Sequence, residues 1–344
     1  MLIEMGIDDW VWIDKKAEGL SQFEGKSLIG PERVNPDYYV FISSHFIDEI
    51  GSFLENKKMY EWDDWIYAIE RAYYEGLLEH PNDPLVPELL MEDLNGIEDD
   101  LKEVVKVIPY EIEKKELEAF AKSLNFEDVY RINSNKRYRR KIMEYFITEK
   151  LHDLSSFNEN DVFLDLGAAG SPFAKFLHDK RNISAFALDL EEGEFSQESY
   201  YLCEDATRTH FKDNSVSGAS MHSSFEMFLY NADTALIQEM ARVLKKDSKL
   251  VIAPLYMHKQ YLSTCSPNNY GKGYADDESL ECIRTDCWSW IPLARFYDVR
   301  ALEKRVLTPA REHGLMPTVY SLPDDEVEKD EFVYLKFILE LKKQ

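Results

Sequence analysis

Four cysteines in 344 residues, with no Cys-x-x-Cys pair among Cys203, Cys265, Cys282 and Cys287, fit neither a disulfide scaffold nor a zinc ribbon. Free thiols in a reducing compartment are expected instead. Long apolar runs are absent as well, and Met1–Gly6 carries an acid where a secretory leader carries basic residues, so a cytoplasmic protein with no membrane partner is expected. Basic residues are outnumbered, 40 Lys and Arg against 65 Asp and Glu. A formal net charge of −25 repels polyanions and argues against nucleic acid as a partner. The local exception, Lys136-Arg137-Tyr138-Arg139-Arg140-Lys141, heads a predicted helix running to about Leu151. It is either a solvated face or an anion site for a phosphate or diphosphate. There is no low-complexity tract and no internal repeat.

What is present centres on Val162–Phe173. A β-branched and aromatic run ends in Asp165, passes a small-residue turn (Gly167, Ala168, Ala169, Gly170) and enters a helix at Pro172. Strand, tight loop and helix N-terminus in that order let backbone approach a ligand closely. A second strand, Asn182–Leu188, closes on Asp189, spaced so that the acid reaches ribose hydroxyls. A third, Tyr200–Cys203, ends in Glu204-Asp205-Ala206, and a fourth, Val216–Met221, ends at His222. A helix around Thr234–Leu244 and a fifth strand, Lys249–Pro254, follow.

Taken in series, these residues resemble the class I S-adenosylmethionine-dependent methyltransferases, in the branch with D-x-G-x-G-x-[GS], then Asp, then [GE]-D-A on successive strands. Ala206–Val216 is similar to that branch's DATxLPFxDNSxD segment, and Arg242–Ile252 to its RVLKPGGxLVI segment. Ala169 and Ser171 stand where glycines are usual, and Ser217 replaces an acid. The resemblance covers about residues 136–344. It implies an α/β fold: a seven-stranded Rossmann-like sheet ending in an antiparallel hairpin, here Thr318–Leu322 and Phe332–Leu341. It further implies S-adenosylmethionine as cofactor. Asp165, Gly167, Ala168 and Gly170 would hold its amino-acid end, Asp189 the ribose, Leu190 the adenine face, and Asp205 with Ala206 the adenine amino group. Glu204 is an alternative to Asp205.

Methyl transfer to oxygen or nitrogen needs a proton acceptor. His222, just after the fourth strand, is either that base or a structural histidine under the loop. Glu226, four residues on, shares a helical face with it and either orients it or forms a surface salt bridge. Tyr256 and His258 are alternative bases and substrate contacts. The insertion at about 257–297 carries Trp288, Trp290 and Arg295, suited to stacking on a flat acceptor and pairing an acid, or to a small satellite core. No clustered carboxylates call for a metal.

The N-terminal region reads as two short strands, Trp10–Asp14 and Tyr38–Ser43, and an amphipathic helix, Phe46–Lys57. It resembles half of a small Rossmann-like domain attached to enzymes of surface-sugar biosynthesis. Lacking a glycine-rich loop, it is expected to pack or to dimerise. The expected organisation is a truncated α/β fragment over 1–79, an acidic helical linker over 80–135 and a methyltransferase domain over 136–344. The expected activity is methylation of a small molecule, a sugar, sugar phosphate or nucleotide sugar of polysaccharide biosynthesis. The alternatives are a cofactor-binding scaffold or regulatory subunit, and a nicotinamide-dependent oxidoreductase, which the mismatch to G-x-G-x-x-G disfavours.

Overall fold

The strand Val162–Leu166 is buried from its second residue onward and has sheet neighbours on both sides, which is why it reads as an apolar run rather than an alternating one. The computed structural model describes residues 89–124, 136–191, 197–284, 292–324 and 333–344, with shorter pieces of the first 86. The chain divides into two compact units, Met1–Glu70 and Arg71–Gln344.

In the larger unit the chain runs α1 (Ile97–Val104), β1 (Lys106–Pro109), α2 (Lys114–Leu124), α3 (Lys136–His152), β2 (Val162–Leu166), α4 (Phe173–Arg181), β3 (Ser184–Asp189) and β4 (Tyr201–Cys203). It continues through β5 (Gly218–His222), α5 (Ala232–Val243), β6 (Lys249–Ala253), β7 (Leu315–Ser321) and β8 (Phe337–Lys343). The sheet order is β4-β3-β2-β5-β6-β8-β7-β1. Only β8 runs antiparallel to its neighbours, β6 and β7. The expected class I sheet and closing hairpin are thus present, with eight strands instead of seven. The extra strand, β1, comes from the acidic stretch expected to be a helical linker, and pairs in parallel with β7.

Side chains alternate across the sheet and feed two cores. Leu164, Leu166, Ala219, Met221, Leu250 and Ile252 meet Leu236, Ile237 and Met240 of α5 on one face. Phe163, Ala185, Ala187, Val251 and Ala253 meet α3 and α4 on the other, through Phe146, Ile147, Phe173 and Leu177. Between β6 and β7 the insertion supplies three strands of a second sheet, completed by Leu85–Val86, in the order Ala294–Phe296, Leu262–Cys265, Leu280–Arg284, Leu85–Val86. It is therefore structured where the sequence shows no periodicity. A helix runs Val299–Glu312 with a π turn at Glu303–Leu307, and Gly314 follows at φ 79°.

The N-terminal unit holds a three-stranded sheet, Trp12–Ile13, Lys26–Ile29 and Gln22–Phe23, and a parallel pair, Val40–Ile42 with Trp65–Tyr67. Ile29, Val34, Val40, Leu54 and Met59 form its core. The expected helix Phe46–Lys57 lies largely outside the described residues. Among the described residues, no helix is long and apolar enough to cross a membrane.

Candidate active site

β2 lies between β3 and β5, so chain direction leaves it to opposite sides and opens a crevice at the strands' carboxyl ends. The loop there turns through Gly167 (φ 62°) and Ala169 (φ 43°), left-handed values that glycine adopts freely and alanine tolerates at a cost. At Gly167 the crowding is internal: a Cβ would lie 2.7 Å from Ser224 Cβ and 2.8 Å from its Oγ. At Gly170 a Cβ would meet nothing within 4 Å. Small size serves packing at the first position and leaves open space at the second.

Asp189, at the tip of β3, accepts the Ala169 N–H through Oδ2 at 2.8 Å, while Oδ1 receives a long bond from the Glu191 N–H at 3.4 Å. It therefore fixes the loop and remains half-exposed. Leu190 beside it is 70% exposed, an apolar side chain offered to solvent. Ala206 is buried, whereas Asp205 is exposed and caps Thr207 through N–H and hydroxyl bonds of 2.8 and 2.7 Å. Glu204 is committed to His210 at 2.5 Å, which removes it as an alternative to Asp205. Carboxylate acceptors, an exposed apolar side chain and an open glycine position together fit the diol, base and backbone approach of an adenosyl group.

The amino-acid end differs from expectation. Asp165 is 1% exposed and turned inward. Its Oδ2 accepts from the Ser171 hydroxyl at 2.8 Å, and its Oδ1 from His222 Nδ1 at 2.9 Å. It holds the protein's own groups in place of a ligand ammonium. The same bond fixes one edge of the His222 ring. Its second nitrogen, Nε2, lies 3.0 Å from Thr148 Oγ1 of α3, so both ring nitrogens are engaged in a buried setting. Asp165 and Thr148, rather than Glu226, are the side chains that hold the imidazole.

Glu226 lies in a 3-10 turn (Phe225–Met227) after β5 and is buried, with Oε2 lacking a hydrogen-bond partner among the described residues. Burial pushes its carboxyl up to about 7, against the pull of Lys141 and Arg140 and with the push of Glu144. These three lie on α3. Lys141 Nζ bridges Glu144 Oε2 at 2.7 Å and the His222 carbonyl at 2.8 Å. Arg140 Nε lies 3.3 Å from Glu144 Oε1 without hydrogen-bond alignment, and its side chain is 22% exposed. The basic run thus places Arg140 and Lys141 against the site; the side chains of 136–139 lie outside the described residues. Burial and the Glu226 carboxyl drive the Tyr256 hydroxyl far upward, and its ring packs on Phe296 and Tyr334 at 5.0 Å.

The remaining substrate candidates are placed elsewhere. His258 Nδ1 turns to Gln260 (3.0 Å to its N–H), while Nε2 stands 3.8 Å from Asp93, and burial lowers its pKa. Arg295 is wholly buried: it forks onto Asp276 at 2.7 and 3.1 Å and donates to the Phe228 and Tyr230 carbonyls. It braces the insertion against the turn before α5 and has no surface for an acceptor. Trp288 lies outside the described residues. Among the described residues, no group of three His, Cys, Asp or Glu side chains is arranged to hold a metal.

Sequence reasoning missed Tyr145, Thr148, Ser171 and Ser224. One signal was available: Lys141, Tyr145, Thr148 and His152 recur at i, i+4, i+7, i+11, one face of a helix. That face docks on β5, with His152 Nε2 at 3.1 Å from the Ala219 carbonyl. Gly218 leaves it room, since a Cβ there would lie 3.0 Å from His152 Nδ1.

Residues 164–252 match a family model described as methyltransferase domain (Methyltransf_11), about a quarter of the chain. No curated protein matches the chain. Among solved structures, the chain is similar to the Burkholderia thailandensis 1,6-didemethyltoxoflavin-N1-methyltransferase with its acceptor and S-adenosylhomocysteine bound. That match has 14% identity over 69% of this chain and 92% of that one, at TM-score 0.40. It is similar also to a Haloferax volcanii structure, a complex of the Trm112 methyltransferase activator with a methyltransferase, at 17% identity over 68% and 98%, TM-score 0.38. A third is the Streptomyces coelicolor geranyl diphosphate C-methyltransferase, at 12% identity over 58% and 80%, TM-score 0.34. Residues 164–252 thus carry a methyltransferase domain.

Proposed function

We propose that this S-adenosylmethionine-dependent methyltransferase acts on a hydroxyl or amine of a small-molecule acceptor, with a sugar or surface-glycan precursor as its class. The observation that carries the donor half is Asp189, half-exposed beside open Gly170 and solvent-facing Leu190. In this reading Asp189 accepts from the ribose hydroxyls, Leu190 covers the adenine, Asp205 and Ala206 read its amino edge, and the 167–170 backbone lines the amino-acid end. When bound, the donor supplies the transferable methyl and its leaving group.

The acceptor half rests on α3 and the turn after β5. Glu226, whose carboxyl burial pushes up to about 7, takes the proton of the acceptor O–H or N–H once the turn after β5 opens to admit the acceptor to Oε2. Arg140 and Lys141 offer positive charge to an acidic or phosphorylated acceptor. Burial around Glu226 excludes water. The N-terminal unit supplies a dimerising surface.

The test is thermal stabilisation by S-adenosylmethionine, S-adenosylhomocysteine and NAD in parallel, since a ligand of the folded state raises Tm by mass action. S-adenosylhomocysteine is expected to stabilise and NAD not to. Asp189→Ala should abolish the response with its secondary structure intact; an undiminished response in that variant refutes the ribose assignment.

A further inference from the structure

A continuous buried chain of polar contacts links α3 to the loop after β2. Thr148 Oγ1 meets His222 Nε2 at 3.0 Å, His222 Nδ1 meets Asp165 Oδ1 at 2.9 Å, and Asp165 Oδ2 meets Ser171 Oγ at 2.8 Å. Proton counting gives it direction. An ionised carboxylate only accepts, so Ser171 spends its one O–H on Asp165. Ser171 Oγ is then an acceptor for the Tyr145 hydroxyl at 3.1 Å and the Phe173 N–H at 3.3 Å. His222 Nδ1 must carry a proton toward Asp165, which leaves Nε2 for the Thr148 hydroxyl. The imidazole is held edge-on between Tyr145, at 4.8 Å, and Phe173, at 5.1 Å, so its orientation depends on its two hydrogen bonds and these rings. Thr148 is wholly buried and Asp165 and His222 nearly so, leaving water no route to replace a lost partner.

We infer that Thr148, His222, Asp165 and Ser171 form a positioning relay through which α3 sets the 167–171 loop, so that donor affinity depends on a helix hydroxyl the donor does not touch. The inference rests on the donor reading above. Its consequence is reciprocal: Arg140, Lys141 and Glu144 share that helix, so events at the acceptor side of α3 alter donor affinity, and donor binding alters them equally.

The relay is tested by S-adenosylhomocysteine titration calorimetry of the full chain, with amide hydrogen exchange as a ligand-free readout. Thr148→Val keeps shape and removes the hydroxyl; Thr148→Ser restores it. Thr148→Val is expected to bind about tenfold more weakly, equivalent to about 1.4 kcal/mol, and Thr148→Ser within about twofold of the wild type. Exchange at Ala168–Phe173 should quicken in Thr148→Val while β6 is unchanged. A purely structural threonine lowers stability without moving the affinity of the folded protein. Folded Thr148→Val with wild-type affinity overturns the relay. Should that variant not fold, Ser171→Ala decides, tenfold weakening supporting the relay and unchanged affinity overturning it. A wild type without S-adenosylhomocysteine affinity ends the donor reading instead, and loop exchange alone then decides the relay: quickened by Thr148→Val it stands, unchanged it falls.

Discussion

Arg295 separates two accounts of the insertion, and replacing it with methionine tests them. As an acceptor contact, Arg295→Met would leave stability alone and weaken acceptor binding. The structure gives the opposite expectation. The guanidinium is fully buried and forks onto Asp276, donates to the Phe228 carbonyl at 2.7 Å and the Tyr230 carbonyl at 3.1 Å, and stands 3.4 Å from Asp233. Methionine fills much of the volume but strands these acceptors. Asp233 keeps Arg305 at 2.8 and 2.9 Å and the Tyr297 hydroxyl at 2.7 Å. Asp276 keeps the Tyr261 hydroxyl at 2.5 Å and Arg305 at 3.6 Å, having lost its bidentate partner. Breaking one side of a buried pair costs about 3–5 kcal/mol, or roughly 6–20 °C of Tm. The pH dependence adds a signature. Burial raises the Asp276 carboxyl, but Arg295, Tyr261 and Arg305 together hold it below its ordinary value of 3.8. A lowered carboxyl contributes stability above that value and loses it as pH falls through the folded pKa. The gap between wild type and variant should therefore be full near neutrality and narrow below about pH 4. Calorimetry from pH 3 to 7 measures both. A loss under about 1 kcal/mol at neutral pH, well below the range for a broken buried pair, refutes the bracing role.

Glu226→Gln reverses that sign. A carboxyl raised from 4.5 to about 7 makes the folded protein less stable as pH rises between those values, by on the order of 3 kcal/mol. The glutamine variant should lack this decline in urea denaturation, keep S-adenosylhomocysteine affinity and lose methyl transfer; a decline equal to the wild type's refutes the burial argument. Gly167→Ala combines a left-handed backbone, about 1–2 kcal/mol, with overpacking on Ser224, about 1–3 kcal/mol. Adding Ser224→Gly should recover only the second part of the urea midpoint shift, and full recovery would show that the backbone carries no strain.

The order of elements from Val162 to Ala253 was legible in the sequence because strand, turn and acid signals are local. β2–β6 and the closing hairpin follow from those signals. Asp189, Leu190, Gly170 and Asp205 stand at a surface, where side chain and spacing alone state what is offered. Tertiary structure alone decided the rest. Whether Asp165 and His222 face a ligand or each other depends on Ser171, 6 residues after Asp165, and on Thr148, 17 residues before it, which reaches His222 only when α3 docks on β5. Arg295 and Glu226 looked alike as charged groups in a variable region. One found a carboxylate and two carbonyls and became a brace, while the other was buried with no partner for Oε2 among the described residues and kept its proton affinity. The short strand Lys106–Pro109 joins the sheet by pairing with residues more than 200 positions later, a partnership no local pattern encodes. Local propensity names the elements, but burial and hydrogen-bond partners, which belong to the folded chain, assign each polar group to the site or to the scaffold.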